Sequence, residues 1–254
     1  MHPKSFFRAI PYLLSGFALL CLGACTHLLD APPPGAWSAA YQPIHDPASD
    51  LFVSNALKRA ISEFGDPVCP VRKVMIRRSK KNPSVQNYRL AEDFSLTECS
   101  DFSNGCCTIY LGVAPSDSAY FPMLGHECGH LLNPFLFDWY MEGFCTLFSE
   151  QFCAEQGKDW HAWRKKMDRK RHDPYAASYQ MMRALHTAFP KEYVQLLQFA
   201  VSTPGFPGRQ HIDIQAWIAT LPVAQRPVAR EIIRQHTKTL QHYSGAQYHF
   251  ETVP

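Results

Sequence analysis

The chain has 254 residues, 46% hydrophobic and 19% charged, proportions of a folded globular protein that exclude a largely disordered chain or a long coiled coil. Its 25 Lys and Arg against 22 Asp and Glu give a formal charge of +3, and loss of Lys4 and Arg8 with a cleavable leader leaves only +1. Net charge therefore supports no nucleic-acid partner.

The first residues read as an address. Residues 1–8 are short and basic, residues 9–20 are apolar but too few to span a bilayer comfortably, and Leu22-Gly23-Ala24 leads into Cys25. This stretch resembles a bacterial lipoprotein signal peptide. The resemblance implies cleavage after Ala24 and a lipid on Cys25, which makes the membrane a partner. Thr26 stands where retention in the inner membrane uses an aspartate, so the resemblance implies a cell-envelope protein on the outer membrane rather than the inner one, facing periplasm or exterior. A plain secretory signal cut after Ala24 and an N-terminal anchor are the alternatives, and each of them also exports the chain. The expected organisation is a signal peptide over 1–24, a proline-rich tether over 25–48 and one folded domain over 49–254.

Within that domain, Leu51, Phe52, Ala56, Leu57, Ala60, Ile61 and Phe64 recur at helical spacing, with Asp50 as N-cap and Gly65 as the stop. Residues 71–78 and 108–113 read as strands, and the long polar stretch 79–105 takes no assignment. After Pro115 helical spacing takes over, in segments 117–132, 139–156, 159–171, 174–189, 192–202, 212–221 and 227–240. The predicted class is α+β, a small N-terminal sheet packed on a mainly helical bundle. Of nine cysteines, the seven that outlast lipidation at Cys25 are an odd number for an oxidising compartment. Cys99, Cys106 and Cys107 bracket a turn-rich loop where a disulfide to Cys69 or within the loop is feasible, and connectivity stays open.

His126-Glu127-Cys128-Gly129-His130 is an H-E-x-x-H pattern inside an apolar, helix-spaced segment. Positions i and i+4 share a helix face, so both imidazoles reach one Zn²⁺, while Glu127 lies about 100° further round, able to act on a water without ligating. Composition alone makes such a match a roughly 2% coincidence, so a third ligand is required. Glu142, in Trp139-Tyr140-Met141-Glu142-Gly143-Phe144, opens the next helix; Asp138, Glu150 and His161 are its rivals.

The combination of His126-Glu127-x-x-His130 with Trp139-x-x-Glu142-Gly143-Phe144 resembles the gluzincin metallopeptidases, in particular the aminopeptidase N and thermolysin-like branch. Met141 replaces the asparagine of the aminopeptidase pattern, and the gap from His130 to Glu142 is shorter. The resemblance implies a metalloprotease-like bundle, Zn²⁺ held by His126, His130 and Glu142, Glu127 as general base, and a peptide or protein as substrate. It also implies that the strand at 108–113 edges the cleft, and that Tyr175, with Tyr179 in reserve, donates to the developing oxyanion. Two imidazoles and one carboxylate leave Zn²⁺ net positive with an open position, as amide hydrolysis requires. No glutamate-and-glycine exopeptidase motif is recognisable in 79–111, which favours an endopeptidase.

Other features have plainer readings. Cys128 faces away from the metal, and Cys145, on the Glu142 face, is a buried small residue or a competing ligand. The basic runs 164–166 and 169–171 form a solvated helix face or touch anionic head groups. His236, His242 and His249 are too scattered for a site, and residues 135–139 are core or a hydrophobic subsite. Two rival functions stay open: a non-catalytic zinc-binding or structural envelope lipoprotein, and a lipoprotein in which the motif is coincidental.

Overall fold

A computed structural model of the chain describes residues 37–80, 84–85, 88–89, 94–169, 173–245 and 248–253. The leader, Cys25 and the start of the expected tether lie outside these residues. The rest of that tether is structured, contrary to expectation. A short helix α1 (Trp37–Ala40) leads into strand β1 (Tyr41–Pro43), and Trp37, Tyr41 and Ala40 are buried with Phe94, Leu96 and Tyr110 in a small satellite core. Trp37 stacks on Phe94 at 5.3 Å, and the Tyr41 hydroxyl donates to Phe94 O at 2.9 Å. The proline content suggests a tether, but two aromatic rings supply enough apolar area to dock it.

Helix α2 (Pro47–Phe64) starts before the predicted point. Its N-cap is Asp46, whose carboxylate accepts from Ala48 N and Ser49 N, with Pro47 in the first turn and Gly65 at φ 95° ending the helix. Strands β2 (Lys73–Ser79), β3 (Ser84–Val85), β4 (Tyr88–Arg89), β5 (Leu96–Asp101) and β6 (Cys106–Leu111) follow. The four-stranded sheet runs β1-β2-β6-β5, with β2 parallel to β6 and the other pairs antiparallel. A disulfide joins Cys99 of β5 to Cys107 of β6, while Cys69, Cys106, Cys128, Cys145 and Cys153 are free thiols.

The helical part comprises α3 (Tyr120–His130), α4 (Trp139–Glu155), α5 (His161–Arg169), α6 (Pro174–Ala188) and α7 (Pro190–Tyr193), then, after a hairpin, α8 (Ile214–Thr220) and α9 (Arg226–His242). One core runs through it: Phe52 meets Phe121 at 5.0 Å and Phe152 at 4.9 Å, and Phe64 meets Phe144 at 4.7 Å. The α+β class is as predicted, but the helix expected over 192–202 is not formed. Short α7 and a 3₁₀ turn (Leu196–Phe199) give way to strand β7 (Ala200–Ser202), paired antiparallel with β8 (Gln210–Ile212). Pro204-Gly205 and Pro207-Gly208 form the turn between them, and a short apolar run before such a turn fits a strand as well as a helix. Among the described residues, no helix is long and apolar enough to cross a membrane.

Candidate metal centre

The site depends on how closely α3 and α4 approach. Gly125 and Gly129 face Ser149 and Cys145; a Cβ built on Gly129 would stand 2.7 Å from Cys145 Sγ, and one on Gly125 3.0 Å from Ser149 Oγ. Small residues one turn apart on both helices let the backbones come together, so His126 and His130 of α3 meet Glu142 in the first turn of α4. Both His126 and Glu142 are buried.

His126 Nε2 lies 3.3 Å from His130 Nε2 and 3.3 Å from Glu142 Oε2, and His130 Nε2 lies 3.7 Å from Glu142 Oε1. Tetrahedral ligands at Zn–N and Zn–O distances near 2.0–2.1 Å stand about 3.3–3.4 Å apart. The three donor atoms therefore have separations suited to one small cation, and these residues form a group that could hold a metal ion. Burial alone would raise the Glu142 carboxyl, but His130 and His126 hold it well below the ordinary carboxylate range.

The tautomer of His126 follows from its neighbours. The Thr146 hydroxyl donates to Glu142 O at 2.8 Å, so its oxygen is left to accept from His126 Nδ1 at 3.1 Å. Nδ1 then carries the proton and Nε2 presents its lone pair to the other two ligands, the arrangement usual for a metal-bound imidazole. Thr146 lies four residues after Glu142, on a pattern with no meaning until the facing helix is in place.

Glu127 shares a cavity with His130 and Glu142, but stands outside the ligand group. The Thr97 hydroxyl of β5 is 2.9 Å from both Glu127 Oε2 and Glu127 O. Burial raises the Glu127 carboxyl, opposed by His126, His130 and Thr97. Leu96 and Thr97 form one wall of this cavity, and Leu136, Phe137 and Tyr248 another. The strand beside the site is thus β5. The expectation that 108–113 edges the cleft is corrected, since β6 is paired on both sides, by β2 and by β5.

The other sequence candidates separate clearly. Tyr175 is buried and lines a second, mostly apolar cavity with His126, Glu127, Met123 and Trp163. Tyr179 turns elsewhere, donating to Glu150 Oε2 at 2.6 Å, and Glu150 also pairs with Arg164. His161 is exposed at the start of α5. Asp138 caps α4, accepting from Met141 N at 2.7 Å. None of these three rivals joins the ligand group. Cys145 packs on Gly129 within hydrogen-bond reach of the His130 ring, where burial pushes its thiol up to about 11, and it is not among the three residues of the ligand group. Phe137 and Leu136 line the cavity, while Leu136 and Trp139 also belong to the core.

No family model, curated protein or solved structure matches the chain. What it could do is therefore read from the site itself.

Proposed function

We propose that this chain is an exported, lipid-anchored zinc metallopeptidase of gluzincin type, acting on peptides or proteins in the bacterial cell envelope. The observation that carries the reading is the convergence of His126, His130 and Glu142 donor atoms at 3.3–3.7 Å, with Glu127 in the same cavity and outside the ligand set. A structural metal site has no use for a second acidic side chain there, and no cysteine of the described residues closes the group.

When bound, the zinc would supply a Lewis acid and an activated water. The chain supplies the rest. Thr97 orients the Glu127 carboxylate, which takes a proton from the attacking water and passes it to the leaving amine. Thr146 holds His126 in the ligating tautomer. Strand β5, at the edge of its sheet, offers main-chain groups to an extended peptide, and Tyr175, beside His126 and Glu127, offers a hydroxyl to the substrate carbonyl. The resemblance of the leader to a lipoprotein signal supports a place in the envelope, with Cys25 as the attachment to the membrane.

Elemental analysis of wild type, Glu142→Ala and Glu127→Gln, followed by cleavage of a peptide library, tests this. The expected result is about one zinc in wild type and Glu127→Gln, little in Glu142→Ala, and a loss of cleavage in Glu127→Gln of about 10²–10⁴-fold. Zinc binding with no cleavage of any peptide would refute the peptidase, and a wild-type chain without metal would refute the site.

A further inference from the structure

Beyond the ligands and Glu127, we infer that Asp138 is a positioning residue that fixes the metal ligand Glu142 by tying the first turn of α4 to the C-terminal part of the chain. The other two ligands belong to α3, His126 in its interior and His130 as its last residue. The third lies in the first turn of α4, where main-chain N–H groups have no partner inside the helix and the chain is free to fray. Something outside the helix has to hold it.

Asp138 does so with every acceptor it has. It is fully buried, at 0% exposure. Its Oδ1 accepts from Met141 N at 2.7 Å and its main-chain O from Glu142 N at 3.3 Å, so the turn that carries the ligand hangs on this residue. Its Oδ2 accepts from Ile212 N at 2.5 Å, at the end of β8. A side chain serving only as a cap would need one oxygen; the second reaches 74 residues along the sequence.

The surrounding backbone repeats the pattern. Gln210 N donates to Phe135 O at 2.7 Å and Phe137 N to Gln210 O at 3.0 Å, while His249 N donates to Phe137 O at 2.9 Å and Trp139 N to His249 O at 3.2 Å. The connection between the second and third ligands thus lies between β8 and the segment at 249, bridged in parallel to each. Trp139, stacked on Tyr248 at 4.5 Å, packs the same junction. The placement of Glu142 is therefore tied to β8 through the Asp138 side chain and to the segment at 249 through its neighbours Phe137 and Trp139.

The inference rests on the ligand assignment above but not on peptide hydrolysis, and zinc affinity tests it in the full chain, by competition with a chromophoric chelator at 25 °C. Asp138→Asn keeps an oxygen for Met141 N but turns an amide N–H toward Ile212 N; Asp138→Ser keeps a capping oxygen and lacks the reach to Ile212. Asp213→Asn is the control, because Asp213 likewise caps a helix, accepting from Ala216 N at 2.8 Å at the start of α8. Both Asp138 variants are expected to lose about 10–100-fold in zinc affinity, and to give Co²⁺-loaded protein with an altered visible spectrum, whereas Asp213→Asn stays within three-fold of wild type. Should the Asn variant not fold, the Ser variant gives the answer. Wild-type affinity in a folded Asp138 variant, with Glu142→Ala losing zinc, overturns the positioning role alone; equal losses in Asp213→Asn reduce it to general stability. Failure of wild type to bind zinc overturns the ligand assignment and this inference with it.

Discussion

Gly143, directly after the third ligand, gives a test in which two physical effects have opposite signs. In a helix interior Gly→Ala is worth up to about 1 kcal/mol of added stability from propensity alone. At Gly143, however, a built Cβ would stand 2.4 Å from Ser178 O, 2.5 Å from Ser178 Oγ and 2.5 Å from Met182 Cγ. Ordinary contact begins near 3.4 Å, so α4 and α6 would have to move apart by about an ångström against main chain that cannot rotate away. Overpacking of this kind costs about 1–3 kcal/mol. Gly143→Ala is therefore expected to lose about 1–2 kcal/mol net, read as a lower urea midpoint with an unchanged m-value. The same reasoning ranks three positions: Gly143 should be worst, Gly129 next because its nearest contact is the Cys145 Sγ at 2.7 Å, and Gly125 mildest with Ser149 Oγ at 3.0 Å. A Gly143→Ala chain as stable as wild type, or more so, would show that α4 and α6 do not approach as described.

Thr146→Val removes the acceptor of His126 Nδ1 and is expected to weaken zinc binding by about 10–100-fold with little change in fold; unchanged affinity in chelator competition would contradict the assigned tautomer. His211 and His249 stand with ring centroids 4.3 Å apart, and burial holds both below the usual histidine value, His249 further lowered by His211 and His211 partly restored by Asp213. Because the unfolded chain then takes up protons first, their contribution is intact above the ordinary value of about 6.5 and is lost as pH falls through it. The fall in urea midpoint from pH 7.5 to 5.5 should be shallower in His249→Gln than in wild type; equal slopes would remove this pair as the cause. Replacing Cys99 and Cys107 by serine opens a loop of eight residues' separation and is expected to cost roughly 2–3 kcal/mol by chain entropy, measured by urea unfolding, and no change would mean the reduced strands hold equally well.

Whatever depends on short spacing is legible in the sequence. His126, Glu127 and His130 lie within one turn and a half of helix, so their relation needs no knowledge of the fold. Glu142 is legible because its helix begins soon afterwards. Thr97 and Tyr248 are not, since each reaches the cavity from a different element, one on an edge strand in a stretch that takes no assignment and the other near the C-terminus. Asp138 stands out for its chemistry but misleads about its role, because a carboxylate near a metal motif looks like a ligand until the amide of Ile212 is seen against it. The strand at 200–202 escapes because three residues carry too little periodicity to outweigh the helices around them. The proline-rich segment before α2 escapes because composition does not reveal that Trp37 and Tyr41 have somewhere to go.

The pairing of Asp138 with His249 also has a meaning in time. A ribosome makes these residues 111 positions apart, which at about 5–20 residues per second is a delay on the order of 10 s. Throughout that interval the stretch leading to Glu142 has no neighbour on that side, however well α3 has already formed. The growing polypeptide therefore carries an incomplete centre until the segment at 249 emerges, and a chain cut before His249 would have the motif in full and lack the segment that steadies it.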